Sequence, residues 1–185
     1  MSSTKKEQLR EKFLKIRYKI TNKDLKDMLL AERFINSDIF KNSKSILIYI
    51  NTEYEVGTKS IVEKAWEKGK TVYAPFINDV DIGKVESWKD FDKLKQNDEI
   101  YLVPKEVELD YSFDLCIIPG VVFDTKGFRI GFGSGWYDQF LEGEEKVLKV
   151  GFAFDEQVVA SIPQEEHDIS LDILFTPTKQ MKFSN

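Results

Sequence analysis

The stretch KGFRIGFGSGWYDQFL, residues 126–141, decides how the rest of the chain is read. Three glycines alternate at Gly131, Gly133 and Gly135, with Phe132 and Ser134 between them and Trp136 and Tyr137 after them. Glycine removes the Cβ, permits positive φ and lets a ligand approach the backbone. Trp136 to Leu141 reads as a short helix ended by Gly143. A glycine turn opening into a helix aims unpaired N–H groups and the positive end of the helix dipole at one point, which suits phosphate. Arg129 adds a planar, permanently charged fork beside it. No Lys-Ser/Thr follows the last glycine, so this is not a Walker loop. The G-x-G-x-G spacing, with no clear acidic residue about 20 positions on, is not the dinucleotide fingerprint either. As a bare glycine loop, a plain structural turn explains it as well as phosphate binding does.

Working outward, Asp114 to Pro119 is a buried strand that ends at Pro119-Gly120, just before the loop. Functional loops belong at the carboxyl ends of parallel strands in open α/β sheets. Ile46 to Ile50 is a continuous apolar run of strand length, expected where both faces are covered. Thr71 to Pro75 is another. A helix from about Thr58 to Lys68, carrying Ile61, Val62, Ala65 and Trp66 and stopped by Gly69, joins them into a β-α-β unit with a right-handed crossover. Lys146 to Phe152 and Ile173 to Thr176 are further strands, and Pro163 to Asp172 is a loop. Val85 to Trp88 and Ile100 to Val103 are short strands. Two helices precede all of these. Residues 4–20 carry the stripe Leu9, Phe13, Ile16 and Ile20. Residues 22–36, capped by Thr21, turn Leu25, Met28, Leu29 and Ile35 inward. There is no internal repeat and no composition shift that would mark a domain boundary.

The chain has 185 residues, one domain's worth, with a hydrophobic fraction of 42% and a charged fraction of 32%. A net charge of −5 argues against a nucleic-acid surface. Cys116 is the one cysteine, so no intrachain disulfide forms, and its apolar neighbours mark it as a buried, inert thiol. No 18-residue apolar span and no signal-peptide pattern is present. A cytoplasmic enzyme without membrane or nucleic-acid partners is the simplest expectation.

The longer string G-x-R-I-G-x-G-x-G-W-Y-D, Gly127 to Asp138, resembles the signature of the 5-formyltetrahydrofolate cyclo-ligase family, also called methenyltetrahydrofolate synthetase. The usual family string has two tyrosines before the aspartate; here the first is Trp136, which keeps a flat ring but lacks the hydroxyl. The resemblance runs along nearly the whole chain in order. It takes in the basic N-terminal helix, Glu55 and Thr58 after the first strand, the Asp114–Gly120 strand, the glycine loop and the Glu166–Asp172 segment. It implies a single domain over residues 1–185 and a three-layer α/β/α fold: a mostly parallel central sheet and two N-terminal helices. It implies ATP- and Mg²⁺-dependent cyclisation of 5-formyltetrahydrofolate to 5,10-methenyltetrahydrofolate, with ADP and phosphate released. A sugar-phosphate isomerase or a non-catalytic nucleotide-binding module are the alternatives from other classes.

The resemblance also implies residue roles, each set against a plainer explanation. Asp138 is an acid favoured near a helix start, or a Mg²⁺ ligand beside phosphate. Asp172 is the second metal candidate, with Asp168 in the same acidic loop. Glu55 is a solvated loop carboxylate, or it pairs with the amino and ring N–H donors of a pterin; Glu53 is the alternative and Ile50 the matching apolar contact. Phe132, Trp136, Tyr137 and Phe154 are core aromatics or walls for a flat substrate, with Trp136 and Tyr137 favoured as walls. Arg129, Tyr137 and Asp138 are the catalytic candidates. The stretch Gly131 to Tyr137, with Gly133, Ser134 and Gly135 in it, contacts ATP, and Phe132 to Trp136 contacts folate as well. Lys6, Arg10 and Arg17 form one basic ridge on the first helix, a wet face or a grip on ATP phosphates. His167, the single histidine, supports neither a Ser-His-Asp nor a zinc site.

Overall fold

Residues 2–96 and 99–183 are described by a computed structural model of the chain. The helices are α1 (Ser2–Arg17), α2 (Lys23–Ile35), α3 (Asp38–Asn42), α4 (Lys59–Glu67) and α5 (Trp136–Phe140). The first six strands are β1 (Ser45–Ile48), β2 (Thr71–Pro75), β3 (Ile82–Val85), β4 (Phe91–Gln96), β5 (Glu99–Pro104) and β6 (Leu115–Ile118). The remainder are β7 (Val122–Asp124), β8 (Arg129–Ile130), β9 (Leu148–Phe152), β10 (Val158–Val159), β11 (Ile173–Phe175) and β12 (Gln180–Lys182).

The main sheet has seven strands in the order β12-β11-β9-β6-β1-β2-β3. Its central pairs β11·β9, β9·β6, β6·β1 and β1·β2 are parallel, and both edge strands run antiparallel. Thr58 caps α4 and Gly69 leaves it with φ 67°, so the expected β-α-β unit stands. Alternation along each central strand divides the core between the two faces. Ile46, Ile48, Leu115, Ile117, Val150 and Phe152 turn toward α2, α3 and α4. Leu47, Cys116, Ile118 and Leu174 turn to the other face, where Phe123, Trp136 and Leu141 cover them. The sheet is thus mostly parallel and buried on both sides, as expected for this α/β class.

Several local expectations change. Helix α2 buries Leu30, Ala31 and Phe34, while Leu25, Met28 and Leu29 are exposed. Phe34 decides the face: its ring meets Phe40, Phe152 and Phe175 at 5.0–5.4 Å. The α2 N-cap is Asn22 in the left-handed region at φ 54°, not Thr21. Ile100 to Val103 belongs to β5, but its partner is β4 in a separate antiparallel hairpin. Trp88 lies in a 3-10 turn after β3 rather than in a strand. Strand β12 and the small sheet β10-β7-β8 were not expected at all.

Both edges of the main sheet are blunted. At one, Glu108 N donates to Ile82 O at 2.8 Å, and a Cβ on Gly83 would stand 2.3 Å from the Pro104 side chain. At the other, β12 is three residues long and ends on Lys182.

Candidate functional site

The glycine loop does not leave β6 directly. Strand β7 follows β6, turns through Gly127 at φ 93°, and returns as β8 with Phe123 opposite Arg129. Buried Asp124 ties this turn. Its Oδ1 accepts from Lys126 N and Phe128 N, both at 2.9 Å, and its Oδ2 accepts from Ile162 N at 3.1 Å. The hairpin delivers Arg129 and Ile130 to the start of the loop. Two of the loop glycines use positive φ, Gly133 at 111° and Gly135 at 67°. Helix α5 then spans five residues. So short a helix contributes little dipole, because the dipole sums over aligned peptides. Side-chain cations, not a helix end, supply the positive charge here.

Those cations line a cavity of about 290 Å³ together with the loop. Arg10 Nε donates to Gly131 O at 2.8 Å, and its guanidinium lies 3.6 Å from where a Gly133 Cβ would stand. Arg10 also pairs with Glu7. Lys6 Nζ bonds Glu165 at 2.7 Å and Asp168 at 2.6 Å. Arg129 is buried and donates from Nη1 to Asp138 Oδ1 at 3.1 Å and from Nη2 to Oδ2 at 3.4 Å. Asp138 Oδ1 also accepts from Ile169 N at 3.1 Å. Arg129 Nε is buried without a partner. Lys6, Arg10, Arg129, Gly131 to Gly135, Trp136, Tyr137 and Asp138 therefore meet around one cavity.

Arg17 breaks from the expected ridge. It is buried at 4% exposure, away from the cavity, with its guanidinium 4.9 Å over the Phe132 ring. Lys6 and Arg10 line the cavity with the loop, whereas Arg17 sits against the ring of Phe132. Trp136 lines the cavity with one edge, but at 8% exposure it is mainly core. It stacks on Phe140 at 4.6 Å and donates from Nε1 to Asp79 O at 2.8 Å. Phe154 is fully buried in the core beneath α2. Phe132 is 48% exposed at the loop tip. The Tyr137 hydroxyl is buried without a partner, and burial pushes it well above the usual phenol range.

Glu55 is not the solvated carboxylate its position suggested. It is 9% exposed, and Oε2 accepts from Thr52 N at 2.7 Å and Thr52 Oγ1 at 3.0 Å. Burial raises its carboxyl above the usual range, against the lowering pull of Thr52 and Arg17. Ile50 packs on the α2 side of the core, and Glu53 is exposed. Thr58 Oγ1 donates to Tyr49 O at 2.8 Å, which pins both ends of this loop.

Of the acidic C-terminal loop, Asp168 lines the cavity and Asp172 does not. Asp172 Oδ2 accepts from Lys149 N at 2.7 Å, so the structure does not bring Asp172 to Asp138. Glu165, His167 and Asp168 place ligand atoms within 4.8 Å of one another, and Lys6 is bonded to both carboxylates. Glu165 was missed in the sequence; the signal was the run Glu165-Glu166-His167-Asp168, which needed a cation opposite it. Cys116 is buried and its thiol is pushed up by desolvation, as expected for an inert group. No helix among the described residues is long and apolar enough to cross a membrane.

Residues 2–177 match the model of the 5-formyltetrahydrofolate cyclo-ligase family. A probable 5-formyltetrahydrofolate cyclo-ligase of Caenorhabditis elegans is 33% identical over 157 residues, 76% of each chain. The 5-formyltetrahydrofolate cyclo-ligase of Haemophilus influenzae is 28% identical over 185 residues, 94% of this chain and 99% of the relative. Among solved structures, Aquifex aeolicus 5,10-methenyltetrahydrofolate synthetase superposes with a TM-score of 0.81 at 27% identity, covering 97% of this chain and 93% of that one.

Proposed function

The chain belongs to the 5-formyltetrahydrofolate cyclo-ligase family, and from that premise we propose that it cyclises 5-formyltetrahydrofolate to 5,10-methenyltetrahydrofolate. The reaction uses ATP and Mg²⁺ and releases ADP and phosphate. It takes place in the cytoplasm, on one domain spanning residues 1–185. The observation that carries this reading is the convergence of Lys6, Arg10 and Arg129 on one open glycine loop.

A formamide oxygen is a weak nucleophile and a worse leaving group. Transfer of the γ-phosphoryl group to that oxygen gives an imidate phosphate. The N10 amine then attacks the formyl carbon, a C–N bond forms, and the C–O bond breaks with its electron pair leaving on phosphate. The N10 proton passes to water or phosphate. Such chemistry needs positioning and charge neutralisation more than covalent help. Arg10 and Arg129 grip phosphate oxygens, and Lys6 joins them by exchanging its carboxylates for phosphate. The loop faces open space at Gly131 and Gly135, where a Cβ would meet nothing within 4 Å. Tyr137, buried with a free hydroxyl, walls the substrate.

The donor set fits Mg²⁺ at Asp138. An ionised carboxylate has about four lone-pair sites, and Arg129 and Ile169 occupy three of those on Asp138. Bound there, Mg²⁺ would neutralise phosphate charge. Asp172 would reach it only by giving up Lys149 N. Glu55 and Ile50 take the pterin.

Incubation with 5-formyltetrahydrofolate, ATP and Mg²⁺ should generate the methenyl chromophore in step with ADP. Absence of the chromophore with a folded protein overturns the reading, whereas isomerase chemistry or simple nucleotide binding yields neither signal.

A further inference from the structure

Arg17 Nε, Arg17 Nη1 and the Tyr137 hydroxyl are buried without partners, and the end of α1 meets the Glu55 loop where the Tyr18 ring packs edge-on against Tyr54 at 4.5 Å. Arg17 acts electrostatically on Glu55, on Tyr49 and on Tyr101 of the β4–β5 hairpin. It nevertheless forms no ion pair with Glu55, which bonds only Thr52. A guanidinium at 4% exposure with two idle donors is an expensive arrangement. Its position over the Phe132 ring accounts for its place but leaves Nε and Nη1 without an acceptor. An acceptor is missing, and it belongs near Glu55.

The pterin edge supplies one. Read along the ring, it offers the 2-amino group and N3–H as donors, then the oxygen at position 4 as an acceptor. A carboxylate satisfies the first two and repels the third. We propose that Arg17 is a specificity-determining residue of the folate site, donating to the 4-oxo oxygen while Glu55 takes the amino and N3–H groups. This rests on the function proposed above. It moves Arg17 from the nucleotide to the substrate, in keeping with its separation from Lys6 and Arg10. It also gives α1 two tasks: phosphate at Lys6 and Arg10, pterin recognition at Arg17.

The test is a binding cycle with 5-formyltetrahydrofolate and its 4-amino analogue, in which an amino donor replaces the oxygen and N3 loses its hydrogen, each ligand compared between wild type, Arg17→Met and Arg17→Lys. Arg17→Met should weaken the 4-oxo substrate about tenfold or more, and change the analogue and ATP less than about twofold. Arg17→Lys, which keeps the charge over Phe132, should show a smaller loss that is again confined to the 4-oxo compound. If Arg17→Met does not fold, the lysine variant decides alone. Equal losses for both folates, or a loss for ATP, overturn the proposal. Failure of wild type to bind 5-formyltetrahydrofolate at all overturns the function instead, so the two failures are distinct.

Discussion

Lys6 Nζ lies 2.6 Å from Asp168 Oδ2, across 162 residues of chain, and ties the first helix to a loop near the last strand. Burial alone would lower the Lys6 ammonium, but the hydrogen bonds to Asp168 and Glu165 prevail and raise it above 10.5. Its bond from Lys6 holds Glu165 below 4.5. The raised lysine contributes stability that is present below its unfolded value and is lost as pH climbs through the folded one. The depressed carboxylate contributes stability that is present above its unfolded value and is lost as pH falls through the folded one. Hydrogen-exchange protection of residues 2–17, taken relative to the intrinsic exchange rate at each pH, should therefore fall severalfold above pH 10.5 and again below pH 4.5. Lys6→Met should show the reduced protection at neutral pH. A flat profile, or a variant with wild-type exchange, would show that other contacts hold the helix.

Glu55 sets binding against stability. Its carboxyl titrates above 4.5 because desolvation opposes the charge. For an acid raised in this way the native state holds the proton longer than the unfolded one, so stability declines as pH rises through that window. Glu55→Gln should melt higher than wild type at pH 8, with the difference vanishing below pH 4, and it should bind folate far more weakly. Thermal melts at the two pH values check the sign. A glutamine variant less stable at pH 8 would mean that the charge is needed for folding.

Asp138→Asn reaches the fold as well as the chemistry. Arg129, with 4% of its side chain exposed, has Asp138 as its ion-pair partner. Removing that charge leaves a buried cation short of compensation, at a cost of about 1–3 kcal/mol. Urea unfolding should report this loss, and ADP release at saturating Mg²⁺ should fall sharply. Full stability with lost turnover would restrict Asp138 to the metal.

Trp136→Ala should empty a core site more than a substrate wall. The indole stacks on Phe140, and Phe140 in turn stacks on Phe113 and Tyr111. Truncation should cost about 3–5 kcal/mol, with little change in folate affinity for the molecules that remain folded. A large rise in folate Kd at unchanged Tm would return the ring to the substrate.

The strands were legible where burial is two-sided: β1 and β6 read as apolar runs, and β2 and β9 as strands with polar or turn residues among their apolar ones. The glycine loop and its neighbours were legible as well, because few backbones need three alternating glycines. The α2 face was not. Leu25, Met28 and Leu29 satisfy helical spacing as well as Leu30, Ala31 and Phe34 do, and periodicity alone cannot choose between opposite stripes. Only the phenylalanines of α3, β9 and β11 make the choice. The β7–β8 hairpin was hidden because its two-residue strand β8 is shorter than any pattern. Lys6, Arg10 and Arg17 share a helix sector in sequence, yet the first two line the cavity while Arg17 is buried against Phe132.

The blunted sheet edges bear on how the protein behaves in a crowd. A sheet grows by adding strands to idle backbone groups at its rim, which is how folded chains template one another into aggregates. Here one rim hydrogen-bonds its own chain at Glu108, with Pro104 packed against Gly83. The opposite rim offers three residues ending in a lysine. Neither accepts a neighbour's strand readily, so concentrated preparations should stay colloidally stable.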